Sequence, residues 1–389
     1  MCVAVVGDSE RAKSQAQRSL FELRKAGVNC VSFTARGPYP TADGIDEARA
    51  MVRRIGASSI VGIGNGGIID TAKAASVLHG SRGSCKNFLV SPSAKVASQG
   101  ERTGSRVPSM GSLPIIAVPT SVGAGAAASE RCLVWHPDDE LLVPLTAAEE
   151  GVPKVPSVVL VDPLLSTTLS STQTAAMAIT ALSTCLDSLI VWSLGAGGRI
   201  GAEESNPLKD LGESGAASVG KGIAKALSNQ NDTCARQNLA LASVCAGRLS
   251  SITPTLAFQL FTRATGSLLC RHYYPEICAL IFPHVVEILL DKTVRGTSAT
   301  DSEAIARALA IAAKSLLEDP NARGEDLLSW VEEQQLHIPK KSLSVIDPSV
   351  TAQEIANNVD LLLTLEDSHV ASMWSSGEVQ SVADRIVGT

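Results

Sequence analysis

Ser59-Ile60-Val61-Gly62-Ile63-Gly64-Asn65-Gly66-Gly67-Ile68-Ile69-Asp70-Thr71-Ala72-Lys73 is the stretch that decides the fold. Residues 59–63 are apolar and mostly β-branched, as in a buried strand, and residues 68–78 carry a helical pattern. Between them stand three glycines and one asparagine. A strand that turns sharply through glycine into a helix leaves backbone N–H groups and the helix dipole aimed at one point, where a pyrophosphate can be held. Taken alone the pattern is weak, because a tight turn with no ligand uses the same residues.

Working outward, residues 2–6 form a short β-rich run that stops at Gly7-Asp8-Ser9, and an amphipathic helix follows over residues 11–25. The unit repeats with a strand at residues 30–33 and a helix at 44–55, and further strands are expected at 114–118 and 157–161. Strand alternating with helix implies a parallel sheet covered on both faces, so residues 1–163 read as a Rossmann-like α/β domain that binds a dinucleotide. A polar hairpin is expected around residues 136–145. Residues 79–113 are rich in Ser, Gly, Lys and Arg without periodicity, which marks a long functional or mobile loop. After Asp162-Pro163 the character changes. Helical periods dominate residues 172–192, 216–227, 235–249, 276–290, 302–317 and 352–363, so residues 164–389 read as an all-helical domain.

Composition narrows the partners. A net charge of −6 argues against binding the phosphate backbone of nucleic acid, which needs a basic stripe. No apolar run is read as reaching the roughly 18 residues of a membrane span, and no signal peptide pattern opens the chain. A cytoplasmic protein with a small-molecule substrate is expected. The nine cysteines are scattered without a C-x-x-C pair and read as small core residues, with neither disulfides nor zinc.

Three ordered motifs carry a family resemblance. Residues 62–73, G-I-G-N-G-G-I-I-D-T-A-K, resemble the G-x-G-G-G-S-x-x-D-x-A-K signature of the iron-dependent alcohol dehydrogenases and maleylacetate reductases. Residues 119–130, P-T-S-V-G-A-G-A-A-A-S-E, are similar to that family's P-T-T followed by a Gly-Ser-Glu turn, with about three extra residues. Residues 156–163, P-S-V-V-L-V-D-P, match its P-x-x-V-x-x-D-P. Ala246-Gly247 and the run from Ala279 to His284 extend the likeness into the helical half. The resemblance implies a dehydroquinate synthase-like architecture with substrate in the cleft between domains and hydride passing to or from the nicotinamide of NAD or NADP. By position, Gly64, Asn65, Gly66 and Gly67 would surround the pyrophosphate, Thr120 and Ser121 would lie near the nicotinamide half, and Asp8 near the adenosine ribose. Asp70 is carried over with the cofactor set, although Asp70 and Lys73 also suit a surface ion pair. Members of that family place a β-hairpin before the first βα unit, and here the sequence starts at that unit. An open sheet edge, an edge covered by the second subunit of a homodimer, and a shortened gene model are equally the readings of that start.

The departures are as informative as the matches. Metal-dependent members hold a divalent ion with an Asp and three histidines, and counting along the motifs puts Thr180, Thr184, Gln259 and either Tyr273 or Tyr274 at those positions. Asp187 takes the place of a helical acidic residue, and a family lysine falls on Thr146. No metal is expected. Only three tyrosines and six histidines occur in 389 residues, yet His272, Tyr273 and Tyr274 are consecutive and Arg263 is near. Tyrosine and histidine can move protons and arginine can grip a carboxylate, so Tyr273, Tyr274, His272, Arg263 and Gln259 form the expected catalytic set. A solvent-facing helix cap before Pro275 is the plain alternative. His79, His136, His337 and His369 read as surface residues. The function that follows is a metal-independent, maleylacetate reductase-like oxidoreductase using NAD(P)(H) on a small carbonyl or unsaturated compound, with or without a carboxylate. A non-redox cyclase, isomerase or lyase with a rebuilt Tyr/His/Arg site is the alternative, and an inactive binding protein the third.

Overall fold

The computed structural model describes residues 1–98, 112–145, 155–195, 206–269, 274–295, 299–335, 343–366 and 371–388. It divides into two compact units: Met1–Ser121 with Ala126–Ser166, and Val122–Gly125 with Thr167–Thr389. The first contains β1 (Cys2–Gly7), α1 (Glu10–Lys25), β2 (Cys30–Ala35), α2 (Ala42–Ile55), β3 (Ser59–Gly64), α3 (Gly66–Val77), α4 (Pro92–Ala97), β4 (Ile115–Pro119), the antiparallel hairpin β5 (Leu133–His136) and β6 (Leu141–Pro144), and β7 (Val158–Val159).

The main sheet is parallel throughout in the order β2-β1-β3-β4-β7. Its alternation is legible residue by residue. Val3 and Val5 face one layer with Ala48, Val52 and Ala72 of α2 and α3, while Ala4 and Val6 face the other with Ala16 and Leu20 of α1. Helix α1 starts where the Ser9 hydroxyl accepts the Ala12 N–H and ends on Arg24 and Lys25, a charge order that complements its dipole. Chain order turns back at β1, so the carboxyl ends of β1 and β3 flank the topological switch point where such sheets take ligands.

Several readings change. Helix α3 begins at Gly66, two residues before the apolar period, because the Asn65 side chain caps it. Strand β7 keeps only two residues. Part of the supposed mobile loop is fixed: Arg49 donates to the carbonyls of Ser81 and Gly83, and Arg53 to those of His79 and Ser81. Residues 99–111 lie outside the described set. Cys2 and Cys30, register partners on β1 and β2 with Cα atoms 4.9 Å apart, are joined as a disulfide, against the expectation of none. The scattered spacing hid a pairing that only strand register creates. The other described cysteines suit core roles in the main, Cys234 being exposed; burial pushes the Cys85 thiol up to about 12.

The second unit is helical: α5 (Ser171–Ser193), α6 (Pro207–Ser228), α7 (Thr233–Ile252), α8 (Phe258–Leu268), α9 (Tyr274–Arg295), α10 (Ala299–Leu317), α11 (Asp326–Gln335), α12 (Leu343–Ile346), α13 (Ala352–Leu363) and α14 (Ser376–Val387). Helix α5 is long and apolar enough to cross a membrane, contrary to the sequence reading, but its apolar stretch is wholly buried among the other helices. That burial accounts for its composition: a helix apolar on all sides is a core helix when neighbours surround it.

Candidate functional site

The glycine turn sits at the carboxyl end of β3. Asn65 stands at the N-cap, where its Oδ1 accepts the Ile68 N–H at 3.2 Å and its carbonyl accepts the Ile69 N–H. The N–H groups of Gly66 and Gly67 precede any helical acceptor, so the geometry of a helix start leaves them for an outside anion. A Cβ on Gly67 would lie 2.9 Å from the Pro38 carbonyl oxygen, which shows how closely the loop after β2 approaches the turn. The end of β4 closes the other side, with the Thr120 N–H donating to the Gly64 carbonyl at 2.9 Å. Thr120 is buried and Ser121 half-buried. Asp8, exposed at the end of β1, accepts the Gly37 N–H at 3.5 Å. Gly64, Asn65, Gly66, Gly67, Thr120, Ser121 and Asp8 thus all lie along the carboxyl edge of the sheet. The donor set fits a dinucleotide phosphate.

Asp70 does not share that role. Its carboxylate pairs with the Lys73 ammonium at 2.7 Å inside the unit and accepts the Leu133 N–H. Burial raises the Asp70 carboxyl, and the Lys73 charge opposes that rise. Lys73 is itself 1% exposed and donates to the carbonyls of Ala126, Ser129 and Arg131. The two residues form a buried clamp on the segment after β4 rather than a surface pair or a cofactor contact. A signature helix with Asp and Lys three apart shows the pair, but not what the lysine holds.

A second polar constellation lies in the helical unit. The Gln259 amide nitrogen donates to Ser183 Oγ and Thr184 Oγ1, each at 3.1 Å, and the Tyr274 hydroxyl donates to Gln259 Oε1 at 2.7 Å. Ser183 and Thr184 in turn donate to the Thr180 carbonyl, and Ser183 also touches Cys278 Sγ. Asp187 accepts the N–H groups of Ala257, Phe258 and Gln259, so its carboxylate caps α8 and fixes where Gln259 points. Positions that the resemblance matched to metal ligands, Thr184, Gln259 and Tyr274, therefore do converge. They converge as neutral groups bonded to one another. Thr180 turns its hydroxyl back to the Ala176 carbonyl. Neutral hydroxyl and amide oxygens do not fit iron or zinc, which take imidazole, thiolate and carboxylate. No cluster of three His, Cys, Asp or Glu exists among the described residues.

Two further expectations change. Arg263 is 3% exposed, lies 3.6 Å from the Glu366 carboxylate and bonds Thr255, so it braces the helical core instead of offering a grip for substrate. His136 is buried beside Asp139 where the hairpin turns, not on the surface. His272, Tyr273, Thr146, His337 and His369 lie outside the described residues. Ser183 and Glu366 escaped sequence reading because neither belongs to a motif; only packing brings them to Gln259 and Arg263.

A parallel α/β sheet with a glycine turn at its switch point, in a chain that continues as an all-helical unit, is the fold of the iron-containing alcohol dehydrogenases. Residues 2–163 match the family model described as iron-containing alcohol dehydrogenase. The chain is 26% identical over 235 residues to long-chain-alcohol dehydrogenase 1 of Geobacillus thermodenitrificans, covering 58% of this chain and 50% of that protein. It is 23% identical over 231 residues to 1,3-propanediol dehydrogenase of Klebsiella pneumoniae, covering 59% and 52%. A shorter stretch of 56 residues is 45% identical to a long-chain primary alcohol dehydrogenase of Thermoanaerobacter ethanolicus, 14% of each chain. The matches thus span about half the length of these curated relatives, or less. Among solved structures, an archaeal halo-thermophilic Red Sea brine pool alcohol dehydrogenase superposes with TM-score 0.80 at 17% identity, covering 99% of this chain and 91% of that one. A sulfoacetaldehyde reductase from Bifidobacterium kashiwanohense, in complex with NAD+, gives 0.71 at 18%, covering 100% and 91%. These likenesses establish the fold.

Proposed function

We propose that this protein is an oxidoreductase that binds NAD(H) or NADP(H) at the β3–α3 glycine turn and acts, without a metal, on a small carbonyl or unsaturated compound, as a maleylacetate reductase does. The observation that carries the reading is the set of Gly66 and Gly67 N–H groups at the start of α3, at the switch point of a parallel sheet whose residues 2–163 match the iron-containing alcohol dehydrogenase family. Relatives named as alcohol and propanediol dehydrogenases support redox chemistry. The nicotinamide, when bound, supplies the hydride. This chain's own part is binding and orientation. Gly64 to Gly67 hold phosphate through backbone, Asp8 accepts from a ribose hydroxyl, and Thr120 and Ser121 flank the far half. Metal independence rests on the neutral donors Thr184, Gln259 and Tyr274. Those groups order a polar substrate by hydrogen bonds where a metal-dependent relative uses a Lewis acid.

The test is absorbance of NADH and NADPH at the nicotinamide band with a panel of small oxo-acids, enals and ketones, after exhaustive chelation. Substrate-dependent oxidation that survives chelation and is abolished in a folded Gly66→Val variant supports the reading. Turnover restored only by added iron or zinc refutes metal independence, and full activity in Gly66→Val refutes the cofactor site.

A further inference from the structure

We infer that the Cys2–Cys30 disulfide is a reversible redox clasp on the edge strand β2, closed by oxidation and opened by thiols, and that it governs the order of the loop walling the glycine turn. Strand β2 is weakly held otherwise. Among the described residues its one neighbour in the sheet is β1, and of its six residues Phe33 alone is buried, whereas all six of β1 are. The backbone ladder from Cys2 and Cys30 to Gly7 and Ala35, with one covalent bond, therefore supplies what side-chain burial does not. That bond closes the amino end of the ladder. The Gly7–Ala35 pair ends it five residues further on, about 16 Å away at the rise of a strand. Directly beyond that pair, Asp8 accepts the Gly37 N–H at 3.5 Å and the Pro38 carbonyl lies against Gly67. The Pro40 carbonyl accepts the Trp135 N–H at 2.9 Å. A β2 free to fray draws these contacts with it.

Opening is thiol–disulfide exchange. The attacking thiolate meets Cys30 Sγ, since Cys30 is half-buried and Cys2 is buried. Cys2 leaves as a thiolate and takes a proton, and a second thiol resolves the mixed disulfide at Cys30. The protein gains two thiols while the reductant becomes a disulfide. Closure runs through the same mixed disulfide, with glutathione disulfide as oxidant and two glutathione thiols released. Cys85, Cys185, Cys245 and Cys278 do not compete, because burial pushes each thiol up, away from the thiolate that exchange requires. The clasp itself needs no cofactor; its control of binding rests on the dinucleotide reading of the glycine turn.

The experiment is hydrogen exchange by mass spectrometry on the full chain, equilibrated in glutathione buffers of set ratio, with the disulfide located by alkylation and peptide mapping. Oxidised protein should hold Cys2 and Cys30 linked. On reduction, amides of residues 30–40 should exchange about tenfold faster or more, with those of β4 unchanged. Cys30→Ser should match the reduced form in either buffer, and Cys2→Val takes its place if Cys30→Ser fails to fold. Two free thiols at every ratio, or unaltered exchange at residues 30–40, overturns the inference. So does exchange that spreads to β4, because the bond would then hold the whole unit. NADH fluorescence on the same two forms tests the turn. The reduced form should bind about tenfold more weakly. Equal binding removes control of the turn, whereas binding by neither form counts against the dinucleotide reading and leaves the clasp to the exchange result.

Discussion

Lys73 and Asp70, one turn apart on α3, face each other at 2.7 Å inside the α/β unit, and the lysine aims its three protons at three carbonyls of the segment that follows β4. The helix that opens at the glycine turn is thereby the same helix that fixes the path of the chain beyond Thr120 and Ser121. Replacing Lys73 by Met should remove the clamp and strand Asp70. Breaking a buried pair from one side typically costs about 3–5 kcal/mol, and Asp70→Asn in the same chain should recover part of it. Urea unfolding measures this. A Lys73→Met variant within about 1 kcal/mol of wild type would show that the clamp is dispensable.

Gly125 offers a sharper geometric test. With φ at +75° it lies against α7 so closely that a Cβ would sit 2.0 Å from the Ser243 carbonyl and 2.5 Å from the Gly247 Cα. The Ala246-Gly247 motif is thus a notch for backbone. Gly56 shares a positive φ of +61° but has nothing within 4 Å of its would-be Cβ. Gly56→Ala should cost about 1 kcal/mol, the strain of the conformation alone, and Gly125→Ala several-fold more. Equal losses in thermal unfolding would refute the notch.

Arg263 should behave as a brace. Its partner Glu366 also accepts the Thr255 N–H, so Arg263→Ala leaves a half-buried carboxylate short of its cation. The expected result is a fall in stability of about 3 kcal/mol with no specific rise in the Michaelis constant. A stable Arg263→Ala variant with a large rise in that constant and unchanged turnover would restore the substrate-gripping role.

Acid stability should depend on two helix starts. Burial raises the Glu378 carboxyl, but bonds from Lys292 and Ser375 outweigh it and leave it below the usual value. Glu354 is held down first by the Thr351 N–H. A carboxyl depressed in the folded state contributes stability above its unfolded value near 4.5, lost as pH falls through the folded value. Glu378→Gln should therefore flatten the acid limb of the stability curve. An acid limb unchanged in Glu378→Gln and Glu354→Gln would place the acid sensitivity elsewhere.

Much of the fold was legible because local and global signals agreed. Val3 and Val5 against Ala4 and Val6 announce a strand buried on both faces. The glycine turn was legible for the same reason: strand, turn and helix are contiguous in sequence. What stayed hidden depends on distance along the chain. Nothing near Gln259 foretells Ser183, 76 residues away, and nothing near Arg263 foretells Glu366. Charge also misled. Arg263 reads as a ligand hook and Asp70 as a cofactor contact because sequence shows that a charge exists, not whether it is already paired.

A dinucleotide site that works without a metal is tested by titrating NADH and NADPH fluorescence with protein stripped by chelation and checked by elemental analysis. Saturable enhancement or quenching at one nucleotide per chain, abolished in folded Gly66→Val, is the predicted result. Fluorescence unchanged by the stripped protein, or changed only after about one equivalent of iron or zinc is restored, would contradict the account.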